Sequence, residues 1–472
     1  MTTSVVVGLA VVVLLALLAA RVPVAFALIV AGALGLTLLE GWSFAFTVLG
    51  RDPFSAVARF SLVIIPLFVL MGTFAKNAGL GADIFRILAH WLRHVPGGLP
   101  LATIMACAGF GAVSGSSVAA VATLGPVSIA EMRKYGYSDR VSTGVVAAAG
   151  TLGILIPPSI VLVLYGVLSG LSIERLLIAG IIPGIVSAAV YAGISAYVAR
   201  RDLRTRDEHS TDRAGHAVAS RADDVRAGMP ARASEAELTA TSIADPDEAA
   251  TAPWRPWIEL GALFGAVVVG IYLGWLTATE AAAAGAIVAF VILALRLGAR
   301  RQLLLQGVRD SFRETVSVSG MIFALLVGAA IFTSFLVIAG VPQQFGEFAA
   351  GFDVPPLLLV ALVLLILIPL GMFLDGFSIL LIMVPLLHPL VVTELGFEGL
   401  WFAVLVVKVI ELGLITPPVG INAYVVAGSM PGLRADVVFR GVLPYYLGDV
   451  VTVAALFAMP WLVTWLPSVM LD

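Results

Sequence analysis

The chain has 472 residues, 60% hydrophobic and only 12% charged, with 27 Lys and Arg against 30 Asp and Glu for a formal net charge of −3. Soluble domains carry about a quarter charged residues, so a mean hydropathy of +1.06 excludes a water-soluble globule, and the balanced charge offers no basic surface for nucleic acid. The continuous apolar run "VVVGLAVVVLLALLAA" at 5–20 lacks the alternation of a transmembrane β-barrel, which leaves an all-α polytopic membrane protein surrounded by lipid.

Apolar segments of the roughly 20 residues needed to cross a bilayer are expected near 4–20, 23–39, 57–77, 143–168, 176–199, 257–275, 277–296, 315–338, 400–428 and 442–466. The first has no Lys or Arg before it and a second follows it closely, so it reads as a retained span rather than a signal peptide. Residues 1–56 and 257–314 form scaffold helices. Residues 57–199 and 315–466 form two related halves, and 467–472 a C-terminal tail. Between the halves, 200–256 is hydrophilic, with nine Arg among eleven acidic residues and no apolar period, as in a loosely ordered cytoplasmic linker.

Two apolar stretches, 98–130 (its second arm running to about 135) and 356–392, carry Gly and small or acidic residues at their centres. They suit re-entrant hairpins of two half-length helices. With the N-terminus outside and both hairpins returning to their own side, most Lys and Arg fall on the cytoplasmic side. Only Arg51, Arg59 and Arg175 then lie outside. The same arrangement makes 57–199 and 315–466 inverted repeats, each with a connecting stretch ("GADIFRILAHWLRHV", "VPQQFGEFAAGFDV"), a hairpin and a broken span. Gly111 corresponds to Gly371, Gly136 to Gly396, and Gly153, Pro157 and Pro158 to Gly413, Pro417 and Pro418.

The breaks are written as "LGILIPP" at 152–158 and "LGLITPP" at 412–418. Proline costs about 3 kcal/mol inside a helix, and unwound backbone at membrane depth is tolerated only where protein or a water-filled cavity satisfies it. Paired broken helices in inverted halves point to a secondary transporter's site. Exposed carbonyl oxygens suit a small hard cation such as Na⁺, and helix N-termini suit a carboxylate. Ser114, Gly115, Ser116 and Ser117 in "VSGSSVAA", and Asp375, Gly376 and Ser378 in "FLDGFSI", are placed to complete cation shells begun by Gly153 and Pro157 and by Gly413, Thr416 and Asn422. The small residues of the first tip also suit close helix packing; an intramembrane carboxylate such as Asp375 is a functional candidate. With no Arg at either tip, an acid would rest on helix N-termini together with Ser116, Ser159 and Asn422. Lys408 and Glu411, three residues apart, read as a structural ion pair, His388 and Cys107 as packing residues. No nucleophile–base pair, metal-ligand cluster or phosphate loop is present, so the chain is expected to be no enzyme and to need no cofactor beyond the coupling ion.

The segments "GFGAVSGSSVAAVATLGPVSIAEMRKYGY", "GTLGILIPPSIVLVLYG", "GMFLDGFSILLIMVPLLHPL" and "ELGLITPPVGINAYVV", in that order, resemble the large permease subunit of tripartite ATP-independent periplasmic (TRAP) transporters, the DctM type. The resemblance implies an elevator-type importer in the bacterial inner membrane, driven by a Na⁺ gradient. Its partners would be a small four-helix membrane subunit on a separate polypeptide and a periplasmic solute-binding protein. That protein would deliver a C4-dicarboxylate, sialic or sugar acid. One cation site would join the Ser114–Ser117 tip to the Gly153–Pro158 turn, the other the Asp375–Ser378 tip to Thr416–Asn422. The linker is longer than in the family pattern. A stand-alone Na⁺/carboxylate symporter of similar architecture is the alternative.

Overall fold

The structure, a computed structural model, describes residues 2–95, 97–220, 254–341, 343–344 and 355–471. The described residues are helical throughout apart from turns. Among the described residues, eight helices are long and apolar enough to cross a membrane, or nine if the bent pair Asp139–Leu155 and Ile160–Ser169 counts as one span. Their outer faces are apolar and exposed, as at Leu295, Val316, Leu365 and Ile366, because lipid rather than water is the solvent there.

The N-terminal helices are α1 (Thr3–Ala19), α2 (Val24–Glu40) and α3 (Trp42–Val57). The last is an element that the span pattern did not provide for. Arg51, Asp52 and Pro53 interrupt its apolar run, and it starts where Gly41 turns the chain at φ 88°. A 3₁₀ turn at Phe60–Val63 leads into α4 (Ile64–Asn77), and α5 (Leu80–Leu92) is the expected amphipathic connector.

The first helix–break–helix is α6 (Gly98–Ser114) and α7 (Ser117–Lys134); the first broken helix is α8 (Asp139–Leu155) and α9 (Ile160–Ser169), bent by 41°. After α10 (Ile173–Ala179), α11 (Ile181–Ser220) continues well past residue 200. The hydrophilic segment is thus helical at its start, and its remainder at 221–253 lies outside the described residues.

The second half begins with α12 (Arg255–Phe264), which a π-helical turn carries on to Tyr272, and α13 (Ala278–Leu297). The expected span 315–338 is the end of a longer α14 (Arg301–Ile338): no Pro interrupts it between its polar first turns and the apolar part. The connecting stretch at 341–354 lies almost wholly outside the described residues. Then come α15 (Pro356–Phe373), α16 (Gly376–His388) with a π-helical turn at Pro389–Glu394, and the second broken helix, α17 (Gly399–Ile415) and α18 (Ile421–Ser429). The expected span 442–466 is two helices, α19 (Ala435–Ala458) and α20 (Trp461–Leu471). Pro460 has no N–H to continue the ladder, and the tail expected from 467 is part of α20.

At the centre, every residue of α17 is buried, as is α8 from Val141 to Leu155. Each carries the first arm of a broken helix. α6 packs along α8 and α15 along α17, while the second arms cross over: α9 packs on α16, and α18 on α7 and α8.

Candidate functional site

Each broken helix is seated on its hairpin through a pair of glycines. A Cβ added at Gly153 would fall 2.8 Å from Gly111 Cα, and one at Gly413 would fall 2.6 Å from Gly371 Cα. Real Cβ atoms do not approach so closely, so only glycine lets the backbones touch here. The residues matched between halves by sequence are the ones that make the same contact in both. The peptide bonds Pro157–Pro158 and Pro417–Pro418 are both cis.

The first tip is compact. Gly115 ends α6 in the left-handed region at φ 62° and lies against Ile160 at the start of α9. Ser116 caps α7 by accepting the Ala119 N–H at 3.3 Å, and the Ser114 hydroxyl donates to Gly111 O at 3.3 Å. Gly72 of α4 also abuts Ser114. Across the break, Ser159 caps α9 by accepting from Leu162 N at 3.2 Å, and its hydroxyl donates to Ile154 O. A side-chain oxygen at an N-cap satisfies one of the orphan donors of the first turn. The structure therefore brings Ser114, Gly115, Ser116 and Ser159 to one place, with Ser117, Gly153 and Pro157 buried around it.

The second tip has the same form with a carboxylate in place of a hydroxyl. Asp375 is the N-cap of α16: its Oδ2 accepts from Phe377 N at 3.0 Å and Ser378 N at 3.1 Å, and the Ser378 hydroxyl donates to Oδ1 at 2.5 Å. Gly376 faces Ile410 of α17. Thr416 donates back to Leu412 O at 2.5 Å. The two turns differ in exposure: Pro157 and Pro158 are buried, whereas Pro417 and Pro418 are exposed.

Asn422, expected beside the second tip, makes its contact with the first half. It is buried on α18, and its amide donates to Ala147 O of α8 at 3.4 Å, while its Oδ1 accepts no hydrogen bond. The crossing-over of the second arms carries it into the other half. His388 joins the halves in the opposite sense, its Nδ1 lying 3.0 Å from the Tyr165 hydroxyl of α9.

Lys408 and Glu411 are paired at 2.9 Å, as their spacing on α17 requires, and a third partner sits 2.7 Å from Lys408: Asp449 of α19. The signal for it was present, a lone carboxylate in the apolar stretch "LGDVVTV", but only packing could name its partner.

The chain matches the family described as tripartite ATP-independent periplasmic transporter, DctM component, over residues 11–462. It is 30% identical over 420 residues to the C4-dicarboxylate TRAP transporter large permease protein DctM of Pseudomonas aeruginosa, covering 89% of this chain and 87% of that one. It is also 30% identical over 460 residues to the sialic acid TRAP transporter large permease protein SiaM of Vibrio cholerae, covering 97% of each. The crystal structure of the Alcanivorax borkumensis YdaH transporter superposes with a TM-score of 0.60 at 14% identity over 90% of each chain, a likeness of fold alone. These relatives are transporter permeases, not enzymes. The broken, glycine-seated helices, the apolar spans and the match over nearly the whole length place this multi-pass membrane chain in the TRAP transporter family, as its large permease (DctM) component.

Proposed function

We propose that the chain is the membrane-translocating subunit of a Na⁺-driven importer for a small organic acid, of the C4-dicarboxylate, sialic or sugar acid class. The observation that carries this reading is the recurrence of one construction. In each half an interrupted helix is pressed backbone to backbone against a capped hairpin tip, at Gly111/Gly153 and at Gly371/Gly413. Unwound carbonyls with adjacent hydroxyl or carboxylate oxygens are the donor set of a Na⁺ site. The two sites comprise Ser114–Ser117 with Gly153 and Pro157, and Asp375, Gly376 and Ser378 with Gly413 and Thr416. The capped N-termini of α7 and α9, with Ser116 and Ser159, offer N–H groups and a positive dipole end to a carboxylate. Asn422, with its free carbonyl oxygen, borders the same region from the other half.

In this reading the halves have inverted topology, both hairpins are re-entrant, and the hairpins and broken helices move together against the remaining helices as an elevator. A small four-helix membrane subunit would complete the scaffold, and a periplasmic solute-binding protein would deliver the acid. The chain would sit in the inner membrane of a bacterium with its N-terminus in the periplasm.

The test is reconstitution of the chain with the small subunit in vesicles, supplied with the cognate binding protein and candidate acids. Uptake that requires both an inward Na⁺ gradient and the binding protein is the expected outcome. Full-rate uptake without the binding protein would instead establish a stand-alone symporter, and uptake indifferent to Na⁺ would remove the coupling.

A further inference from the structure

A chain of fully buried polar groups runs from one interrupted helix to the other. Thr151 on α8 lies two residues before Gly153; Glu411 on α17 lies two residues before Gly413. Between them stand Tyr191 of α11, Asp449 of α19 and Lys408 of α17, all five side chains at 0% exposure. The Tyr191 hydroxyl donates to Asp449 Oδ2 at 2.6 Å. Its single hydrogen being committed there, the 3.2 Å contact with Thr151 has only the threonine hydroxyl to donate, and that hydrogen is shared with Ala148 O at 2.8 Å. Asp449 Oδ1 lies 2.7 Å from Lys408 Nζ, which also donates to Glu411 Oε2 at 2.9 Å. Lys408 Nζ further stands 5.6 Å from the centre of the Tyr191 ring, within cation–π range. That ring is fixed edge-on against Tyr445, whose hydroxyl pairs with Ser195 at 2.6 Å.

The network is unlike its surroundings in one respect. The offset of 260 that lays Gly153 on Gly413 (413 − 153) also lays Thr151 on Glu411 and Ala148 on Lys408. The glycine seats are duplicated, but the charged pair exists only in the second half and reaches across to the first. Ions buried in lipid are expensive, and breaking one partner of such a group leaves an uncompensated charge. Simple packing would be served as well by apolar residues.

We propose that Lys408, Asp449 and Tyr191 are positioning residues that lock the two interrupted helices at one mutual spacing, so that the turn at Gly153–Pro158 and the turn at Gly413–Pro418 respond as a unit. The lock gives a fully buried Lys a role: it is a tethered cation that holds α17 to α19, while Tyr191 extends the same hold to α8. Its consequence for cation binding rests on the Na⁺-coupled reading above; the mechanical lock does not.

The experiment is a double-mutant cycle on the purified full-length chain, with conservative variants at the two ends, Thr151→Val and Glu411→Gln, read by apparent melting temperature. The combined loss should differ from the sum of the single losses by about 2 °C or more, and the difference should vanish when Tyr191→Phe cuts the chain in the middle. Additive losses in the native background overturn the lock, whatever ion drives transport. In the reconstituted complex, Tyr191→Phe should raise the Na⁺ half-saturation about fivefold or more while the maximal uptake rate is retained. A half-saturation unchanged in a Na⁺-dependent system would likewise overturn it. Uptake that ignores Na⁺ in the wild type would sink the Na⁺-coupled reading and leave the lock to be decided by the melting cycle alone.

Discussion

At Gly153 and Gly413, both inside helices, alanine would ordinarily be the better residue by about 1 kcal/mol. Here the sign reverses, because the added methyl would meet the backbone of Gly111 or Gly371 rather than a side chain able to move aside. Gly413→Ala should cost about 1–3 kcal/mol of stability by overpacking, seen as a lower melting temperature, and should lower uptake. Gly261→Ala on α12, where nothing lies within 4 Å of the new carbon, should leave stability equal or raised, which separates close approach from a general intolerance of alanine. Asp375 allows a second separation. Asparagine caps helices about as well as aspartate, so Asp375→Asn keeps the Phe377 and Ser378 N–H partners but removes the charge. If the tip holds Na⁺, its half-saturation in the uptake assay should rise roughly tenfold, the loss of about 1.4 kcal/mol, with the melting temperature nearly unchanged. A carboxylate serving only as a cap would leave the Na⁺ dependence where it was.

The amphipathic α5 is tied to the helices beside it by one guanidinium. Arg296 of α13 donates to Asp83 of α5 at 2.5 Å, to both carboxylate oxygens of Glu259 on α12, and to Ala78 O at 3.0 Å. The side chain is 12% exposed, against 15% and 10% for its two acidic partners. Truncating one member of a buried ionic group typically costs about 3 kcal/mol or more where the partners are left unpaired; here Asp83 keeps Arg86 at 3.1 Å and Glu259 keeps Arg255 at 3.0 Å, both more exposed than Arg296, so only part of that cost remains. Arg296→Met should therefore lower the melting temperature of the purified chain. Arg296→Lys should recover only part of the loss, since an ammonium cannot present the planar fork that meets two carboxylates. This element also shows what local sequence conveys. The period of "GADIFRILAHWLRHV" announces α5, and the Pro pairs, Ser-Gly and Asp-Gly announce the breaks and tips, because each is a backbone signal carried by neighbouring residues. Arg296 as the clamp, Asp449 as the partner of Lys408, and the turning of Asn422 toward Ala147 could not be read, because each joins residues that only the packing of distant helices brings together. The helix α3 escaped notice for a different reason. Its Arg51, Asp52 and Pro53 look like a loop until Ser334 of α14 is seen to donate to Asp52 at 2.5 Å, a contact that buries the carboxylate.

For the molecule as a whole, the inverted reading depends on which side of the lipid each loop occupies, and charge is the property that decides this. The last turn of α7 carries Arg133 and Lys134, and the start of α8 is pinned beside it by Asp202 of α11, which accepts from Ser138 N at 2.9 Å and Ser138 Oγ at 2.7 Å. The bend between α9 and α10, at the far end of the broken helix, holds Ser172 and Arg175 alone among exposed polar groups of its stretch 170–175, with Glu174 half-buried beside them. On the proposed orientation, a cytoplasmic excess of Lys and Arg would put the first turn inside and the second outside. Tyr135 and Ser172 are both exposed, and the native Cys107 is buried, so single cysteines at these two positions report their side without interference. In intact cells opened only at the outer membrane, a membrane-impermeant thiol reagent should label Ser172→Cys and spare Tyr135→Cys, and permeabilisation should expose both. The reverse pattern would turn the molecule over. Labelling of both in intact cells would mean that α8 and α9 do not form one broken crossing. The inverted repeat would then lose its first half, although the glycine seats would remain as they are.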